Sequence, residues 1–510
     1  MKKTSILLAT FFVLIGLNTL AQNKIIVHTD GASTKINKEI YGHFAEHLGH
    51  CIYGGIYVGD TSAIPNIHGY RTDVVDALKE MKIPVLRWPG GCFADTYHWM
   101  DGIGTQSERA SIVNVHWGGV TEDNSFGTHE FLNFCELINA EPFVSLNVGS
   151  GTVREASEWV EYITSSNKSP MTDMRKKNGR TEPWKVKFWG IGNETWGCGG
   201  DMTPEFYSDI FRQYAGFARG ANYKVACGAS DSDYNWTEVL MKNTQSKQHL
   251  MQGLSLHYYT ITHDWTNKGS ATKFTEQEWF TTLSKTLVMD ELVTKHSTIM
   301  DKYDPKKKVG LVVDEWGNWF DVEPGTNGGF LYQQNTLRDA LVAGINLNIF
   351  NNHSDRVQMA NIAQAINVLQ SVILTKDDKI VLTPTYYVFK MYAVHQDATL
   401  IPLNVSSEKY ELNGKSIPTL NASASVKDGV VSITICNLNP NKSAVTEFTL
   451  TGQDFTSATG QIITSSNTTD YNDFGKAEVI NSKPFTVQKP KNGSMKIEIP
   501  AKSVVLIQLK

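Results

Sequence analysis

Short apolar runs and longer helix-forming segments alternate along the chain from about residue 36 to residue 352. The ends of the apolar runs are roughly 30 to 60 residues apart, which leaves room for a helix and a loop between parallel strands. The pattern predicts eight strands, at 39–44, 85–88, 142–148, 186–191, 224–228, 253–258, 309–313 and 345–350. It predicts helices between them at 72–81, 127–139, 155–163, 204–220 and 332–343.

Eight such units predict a (β/α)8 TIM barrel, whose functional side chains stand in the loops at the carboxyl ends of the strands. After about residue 385 the pattern changes to alternating apolar and polar residues, punctuated by Gly, Asn and Pro, which predicts antiparallel strands. The expected fold class is therefore α/β: a barrel at 36–384 with an additional C-terminal antiparallel β-sandwich domain at 385–510. The strand-like segment 22–35 is predicted to join the sandwich.

The composition is that of an ordinary globular protein. Hydrophobic residues make up 41% and charged residues 19% of the 510 positions, which excludes a disordered or collagen-like chain. The 47 Lys and Arg residues against 52 Asp and Glu residues give a formal net charge of −5. Without the basic excess that a phosphate-binding surface needs, nucleic acid is not an expected partner.

The first residues resemble a secretory signal. Lys2 and Lys3 precede a largely apolar run at 6–17, and Asn-Thr-Leu-Ala follows. This order predicts a signal peptide at 1–21 that is cleaved near Ala21, and hence an exported protein, periplasmic or secreted. No later stretch has the roughly 20 uninterrupted apolar residues of a membrane span.

The cysteine and histidine residues do not form a recognisable framework or metal motif. The six cysteines are too few and too irregularly spaced for a disulfide scaffold, so mostly free, buried thiols are expected. A cluster at His43, His47, His50 and Cys51 lacks the paired-ligand spacing of a zinc site. We therefore expect no metal and no cofactor.

Two glutamates stand where predicted strands end. The run from Phe188 stops at Asn193 and Glu194, and the run from Val309 stops at Glu315. Because the ends of barrel strands converge on one face, these carboxylates can lie a few ångströms apart in space. Retaining glycosidases use such a pair, with one carboxylate as nucleophile and the other as acid and then base.

Five motifs together resemble those of the α-L-arabinofuranosidases of glycoside hydrolase family 51. They are YGHFAEHLG at 41–49, LRWPGGCF at 86–93, GNE at 192–194, DEW at 314–316 and MANIAQ at 359–364. They occur in the family's order and span most of residues 36–370. The Asn-Glu pair is shared by many barrel glycosidases, whereas the first and last motifs are more specific.

The resemblance implies a role for each matching position. It implies Glu315 as the nucleophile and Glu194 as the general acid/base. The sugar ligands that it implies are Glu46, Cys92, Asn193, Tyr259 and Gln364. Among these, Asn193 would bind the 2-hydroxyl and Tyr259 would donate a hydrogen bond to the nucleophile, with the neighbouring Tyr258 as the alternative.

The resemblance also implies supporting residues around the two carboxylates. Arg87 would pair with Glu315 and favour its ionised form, and His257 stands beside the tyrosine pair. Trp196 is a candidate stacking platform for a neighbouring sugar, as are Trp117 and Trp319.

The sequence thus predicts a retaining, exo-acting α-L-arabinofuranosidase that removes terminal residues from arabinan, arabinoxylan or their oligosaccharides. Its partners would be arabinose-containing plant polysaccharides, and the resemblance implies a homo-oligomer, often a hexamer. Two alternatives stay open at this stage: an endo-glycanase or β-xylosidase on the same barrel, and a carbohydrate-binding protein without catalysis.

Overall fold

The computed structural model describes residues 23–452 and 454–510, so the predicted signal peptide at 1–21 lies outside the described residues. Of the helices in this described part, none combines the length and the apolar character needed to cross a membrane.

Eight parallel strands close into a barrel in chain order, which confirms the predicted (β/α)8 architecture. The strands are β1 (Gly42–Phe44), β2 (Val85–Trp88), β3 (Glu141–Leu146), β4 (Phe188–Ile191), β5 (Tyr223–Ser230), β6 (Gly253–Thr260), β7 (Gly310–Asn318) and β8 (Val357–Ala363). The helices are α1 (Thr72–Met81), α2 (Thr128–Ile138), α3 (Val153–Thr164), α4 (Pro170–Lys177), α5 (Pro204–Phe217), α6 (Tyr234–Thr244), α7 (Glu276–Thr286), α8 (Val288–Tyr303), α9 (Leu337–Asn352) and α10 (Pro384–Tyr392).

The prediction of the eighth strand at 345–350 was wrong, because that segment lies inside α9 and the eighth strand is β8. Nearly all of α9 is buried, since the helix packs between the barrel and the C-terminal domain. Asn348 Oδ1 accepts hydrogen bonds from Ser423 Oγ at 2.9 Å and Thr434 Oγ1 at 2.7 Å across this interface. A helix covered on all sides has no amphipathic period, so its apolar run resembled a buried strand.

Two β-sheets form the C-terminal domain, which confirms the predicted β-sandwich; the observed pairing is mostly antiparallel. One sheet has the order Leu403–Ser406, Asn23–His28, Ala444–Thr451 and Ser494–Ile499. The other has the order Thr399–Ile401, Leu420–Lys427, Val430–Asn437, Ser503–Leu509, Ala458–Ile463 and Lys483–Phe485. Apolar side chains from both sheets make up one common core.

Four two-stranded hairpins complete the structure. They pair Asn66–Ile67 with Tyr70–Arg71, Ile112–Val113 with Thr121–Glu122, Ile373–Lys376 with Lys379–Leu382, and Lys409–Leu412 with Lys415–Pro418.

Candidate active site

The polar side chains singled out from the sequence meet at the carboxyl end of the barrel. They come from β1 (Glu46), β2 (Arg87 and Cys92), β4 (Asn193 and Glu194), β6 (His257 and Tyr259), β7 (Glu315) and β8 (Gln364), or from the residues directly after these strands. Single side-chain atoms of Glu194, His257 and Glu315 lie within 4.8 Å of one another. The barrel thus brings together two carboxylates that are distant in sequence.

Both carboxylate oxygens of Glu315 are held by donors. Arg87 Nη1 donates to Oε1 at 2.8 Å, and the phenol of Tyr259 donates to Oε2 at 2.7 Å. The alternative Tyr258 points elsewhere and donates to the carbonyl of Lys285. Since Glu315 is only 5% exposed, these two bonds fix its orientation.

Arg87 links the two glutamate segments through its buried guanidinium. Besides Glu315, it donates through Nη2 to Asn193 Oδ1 at 2.5 Å and through Nη1 to the carbonyl of Asp314 at 3.2 Å. Its flat face lies 4.6 Å from the centroid of the Phe44 ring. One cation thereby sets the positions of the end of β7 and of the residue before Glu194.

Glu194 follows a tight turn after β4. Gly192 has a φ of +80° and Glu194 a φ of +39°, a left-handed conformation that costs a non-glycine residue about 1–2 kcal/mol. Burial raises the pKa of Glu194, and the charge of Glu315 adds to this, although the hydrogen bond with His257 opposes it. The net effect is that Glu194 stays protonated at a higher pH than an ordinary glutamic acid does.

His257 lies between the carboxylates of the site. Its Nδ1 is 2.8 Å from Glu194 Oε1 and 3.7 Å from Glu315 Oε2, and its Nε2 is 3.2 Å from Asp314 Oδ1. Burial disfavours the charged ring, but Glu315 and Asp314 outweigh burial and raise the pKa of His257 to about 10. A protonated His257 therefore donates to Glu194 on one side and to Asp314 on the other.

Asp314 is a buried partner of His257 and Arg87 whose role could not be predicted from the sequence. Arg87 and His257 outweigh its burial and lower its pKa, and Ser255 donates a hydrogen bond to Oδ1. Asp314 and Glu315 both face the site because β7 has one extra residue relative to β6 between the pairs Ser255/Val312 and His257/Glu315. Such a bulge breaks the alternation that directs neighbouring side chains to opposite faces.

A second cluster of buried polar groups surrounds Glu46. Its Oε1 accepts from the backbone N–H of Phe93 at 3.0 Å and from Trp117 Nε1 at 2.9 Å, and its Oε2 accepts from Gln364 Nε2 at 3.0 Å. Burial and the charge of Glu315 raise the pKa of Glu46 to about 7. Gln364 Oε1 and Asn193 Nδ2 are buried without a hydrogen-bond partner among the described residues. Both atoms are therefore available to a ligand.

Gly91 allows the loop after β2 to pass close to the carboxylates. A Cβ at this position would lie 2.8 Å from Glu315 Oε1, so a side chain here would push that oxygen away from its hydrogen bond with Arg87. The glycine therefore brings the neighbouring Cys92 to the rim of the site.

Cys92 forms a disulfide bond with Cys198, which differs from the expected free thiols. Four other cysteines, Cys51, Cys135, Cys227 and Cys436, are free and buried, as expected. No motif in the sequence indicates this bridge, because its two residues are 106 positions apart. They come together only because the loops after β2 and β4 meet at the rim of the barrel.

A cleft of about 750 Å³ opens outward from Glu194. Its walls include Trp196, Trp319 and Trp265, and Trp265 was not anticipated from the sequence. Trp265 is 61% exposed, and its ring lies 5.3 Å from that of Trp319. Trp117, another residue considered for stacking, is the donor at Glu46 described above.

Two domain families match the chain. The family described as "Alpha-L-arabinofuranosidase 1 domain" matches residues 77–277, and the family described as "Alpha-L-arabinofuranosidase C-terminal domain" matches residues 314–503. The first match contains Glu194 and the second contains Glu315.

Named relatives and a solved structure match the chain over most of its length. An enzyme of Bacteroides ovatus named "Intracellular exo-alpha-L-arabinofuranosidase" is 53% identical over 99% of this chain and 100% of its own. The "Alpha-L-arabinofuranosidase C" of Emericella nidulans is 33% identical over 84% of this chain and 90% of its own. The crystal structure of the GH51 arabinofuranosidase from Xanthomonas axonopodis pv. citri has a TM-score of 0.93 and 47% identity, and covers 96% of this chain and 100% of its own.

The comparison with the Bacteroides ovatus enzyme contradicts the predicted export. That protein is named an intracellular enzyme, and the alignment with it covers 99% of this chain. The prediction of a signal peptide depended only on the composition of residues 1–21, where a short apolar run follows two lysines. A compositional pattern of this kind does not by itself identify an exported protein.

Proposed function

Because the chain belongs to the α-L-arabinofuranosidases of glycoside hydrolase family 51, we propose that it removes terminal, non-reducing α-L-arabinofuranosyl residues with retention of anomeric configuration. Its proposed substrates are arabinan, arabinoxylan and their oligosaccharides. The reaction proceeds by two displacements at the anomeric carbon.

The spacing of the two carboxylates carries this proposal. Side-chain oxygens of Glu194 and Glu315 lie within 4.8 Å of each other. Retaining glycosidases have their carboxyl groups about 5–5.5 Å apart, whereas inverting enzymes leave about 6.5–9.5 Å for an intervening water. The short separation supports direct attack by one carboxylate.

In the first displacement, Glu315 attacks the anomeric carbon while Glu194 gives its proton to the departing oxygen. Arg87 and Tyr259 hold the attacking carboxylate. The raised pKa of Glu194 keeps the proton in place for this step. The products are the released alcohol and a covalent arabinosyl ester on Glu315.

In the second displacement, Glu194 is ionised and accepts a proton from water, which attacks the same carbon and frees Glu315. Glu194 is thereby protonated again for the next cycle. Two inversions at one carbon give arabinose with the configuration of the substrate.

The remaining ligands are proposed to hold the furanose ring. Asn193 Nδ2 faces the position of the 2-hydroxyl, a contact that strengthens as positive charge develops on the sugar. Glu46 and Gln364 are joined by a hydrogen bond to each other. Their side-chain oxygens bind other hydroxyl groups of the sugar. Cys92 contacts the sugar with a disulfide sulfur, an apolar surface without a thiol proton.

A change at His257 should shift the pH dependence of the reaction. His257→Gln keeps a donor near the Nε2 position, toward Asp314, but removes the hydrogen bond and the charge that lower the pKa of Glu194. The pKa of Glu194 should then rise. Since Glu194 must be protonated for the first displacement, the basic limb of the kcat/KM profile should move to higher pH.

The matched variant His257→Asn keeps a donor near the Nδ1 position, toward Glu194, and removes the charge together with the contact to Asp314. Its basic limb should therefore move less than that of His257→Gln. A basic limb that stays in place in both variants would contradict the proposed control of Glu194 by His257.

Trp265 is proposed to bind the leaving group of the substrate. Its exposed indole stands in the cleft beside Trp319, and a polysaccharide chain can stack its sugar faces on such rings. Trp265→Ala should lower kcat/KM for an arabino-oligosaccharide by about 5-fold, the equivalent of about 1 kcal/mol of stacking. The rate with a small aryl arabinofuranoside should not change.

The control for this prediction is Phe217→Ala, which removes another exposed aromatic ring, 57% exposed, at the end of α5. It should leave both substrates unaffected. An equal loss on both substrates in Trp265→Ala would contradict a role in binding the leaving group.

The test of the proposed function is product analysis. Incubation with an aryl α-L-arabinofuranoside, arabinan and arabinoxylan should release arabinose, and proton NMR should show the α-anomer first. Xylose release or a rapid fall in polymer viscosity would instead favour the β-xylosidase or endo-glycanase alternatives. Binding of the sugar without turnover would favour the non-catalytic alternative. The implied homo-oligomer stays a prediction, which sedimentation velocity tests.

A further inference from the structure

Two sulfur atoms and one carboxylate oxygen meet at the rim of the site. Glu194 Oε2 lies 3.5 Å from Cys198 Sγ and 3.9 Å from Cys92 Sγ, while His257 holds the other oxygen of Glu194. Cys198 is exposed, and Cys92 and Glu194 are partly exposed, so solvent reaches all three groups. The proposed reaction makes no use of the Cys198 sulfur.

The spacing of these three atoms fits a tetrahedral cation of the zinc type. Zinc binds thiolate sulfur at about 2.3 Å and carboxylate oxygen at about 2.0–2.2 Å, so a sulfur and an oxygen on one tetrahedral ion stand about 3.6 Å apart. The two sulfur–oxygen distances in the structure bracket this value. Two thiolates on the same ion stand about 3.8 Å apart, which requires the bond between the sulfurs to be broken.

We propose that Cys92, Cys198 and Glu194 form a site for a thiophilic divalent cation such as Zn²⁺ once the disulfide is reduced, and that the bound cation inhibits the enzyme. The two thiolates and Glu194 Oε2 supply three ligands, and water supplies the fourth. The inhibition rests on the proposed role of Glu194, because a carboxylate that ligates a metal cannot carry the proton for the leaving group.

The chemistry of the switch is a two-electron reduction. A phosphine reductant donates two electrons to the sulfur–sulfur bond, water gives its oxygen to the phosphine, and the two protons of that water protonate the sulfurs. Each thiol then loses its proton when it binds the cation. The oxidised pair has no thiolate charge, so the disulfide form has only the carboxylate as a metal ligand.

The test uses the full chain in its oxidised form and after reduction with a phosphine that is then removed. Each form is equilibrated with Zn²⁺ or Cd²⁺ and freed of unbound metal. Bound metal is counted by mass spectrometry, and hydrolysis of an aryl α-L-arabinofuranoside is measured in parallel. Reduced chain should bind one more cation than oxidised chain and lose about 100-fold or more of its turnover, the contribution of a general acid. A chelator should restore the activity.

The variant Cys198→Ser separates this site from others on the chain. It retains the thiol of Cys92 and the carboxylate of Glu194 but lacks the second thiolate, and it leaves the four buried cysteines unchanged. Reduced Cys198→Ser should bind no extra cation and should keep its activity in Zn²⁺.

Several results would overturn the proposal. They are an equal metal count in the oxidised and reduced chains, an extra cation that Cys198→Ser also binds, an extra cation that leaves turnover unchanged, and unfolding of the chain on reduction. The metal count does not depend on catalysis, so it still decides whether the site exists if the proposed activity is absent.

Discussion

Glu315→Ala is expected to lower kcat for an aryl α-L-arabinofuranoside by about 10⁴-fold or more, the scale of loss when a nucleophile is removed. The carboxylate is fully engaged by Arg87 and Tyr259, and both of these donors would lose their acceptor. Steady-state kinetics measure the loss, and a thermal melt establishes that the variant is folded. Glu411→Gln, on an exposed position of the C-terminal domain, should keep full activity.

Azide distinguishes the loss of the nucleophile from general damage. In Glu315→Ala the anion can enter the space left by the carboxylate and attack the anomeric carbon once, which gives an arabinosyl azide of inverted configuration. Ordinary activity in Glu315→Ala would contradict the nucleophile assignment, as would an azide product of retained configuration.

Glu194→Ala is expected to lower turnover of substrates with poor leaving groups by about 10²–10⁴-fold, the contribution of general acid catalysis. Substrates whose leaving group needs no proton should still form the covalent intermediate, which then accumulates because no base activates water. The basic limb of the pH profile should disappear, since it reports the ionisation of Glu194.

Azide should rescue Glu194→Ala by attacking the accumulated intermediate without a base. The product is then an arabinosyl azide of retained configuration, because two displacements have occurred. The opposite stereochemistry of the azide products from Glu194→Ala and Glu315→Ala assigns the two roles independently of the size of either rate loss. Identical azide products from both variants would contradict the assignment.

Most of the barrel was predictable because seven of its strands are apolar runs separated by segments long enough for helices. The exception was the eighth strand, which was misplaced into α9 because that helix is buried on both sides. A single apolar run does not show whether it is a buried strand or a helix that is buried on both sides. The burial of α9 depends on the C-terminal domain packing against the barrel. The strands of that domain were predictable from their alternation.

The site was predictable where side chains follow strand ends, as Glu194 and Glu315 do. It was not predictable where the contact depends on loop geometry or on an irregular strand. The Cys92–Cys198 bridge joins two separate loops, and Asp314 faces the site only because of the extra residue in β7. Trp265 lies in a long loop after β6 whose course the sequence pattern does not define.

The most direct test of the roles of Glu315 and Glu194 is the location of the covalent intermediate. Glu194→Ala is mixed with an aryl α-L-arabinofuranoside that carries a good leaving group, quenched in acid, digested and analysed by peptide mass spectrometry. We expect an added arabinosyl group on the peptide that contains Glu315, and on Glu315 itself after fragmentation. An adduct on another carboxylate, or turnover of this substrate to the β-anomer without an adduct, would contradict these roles.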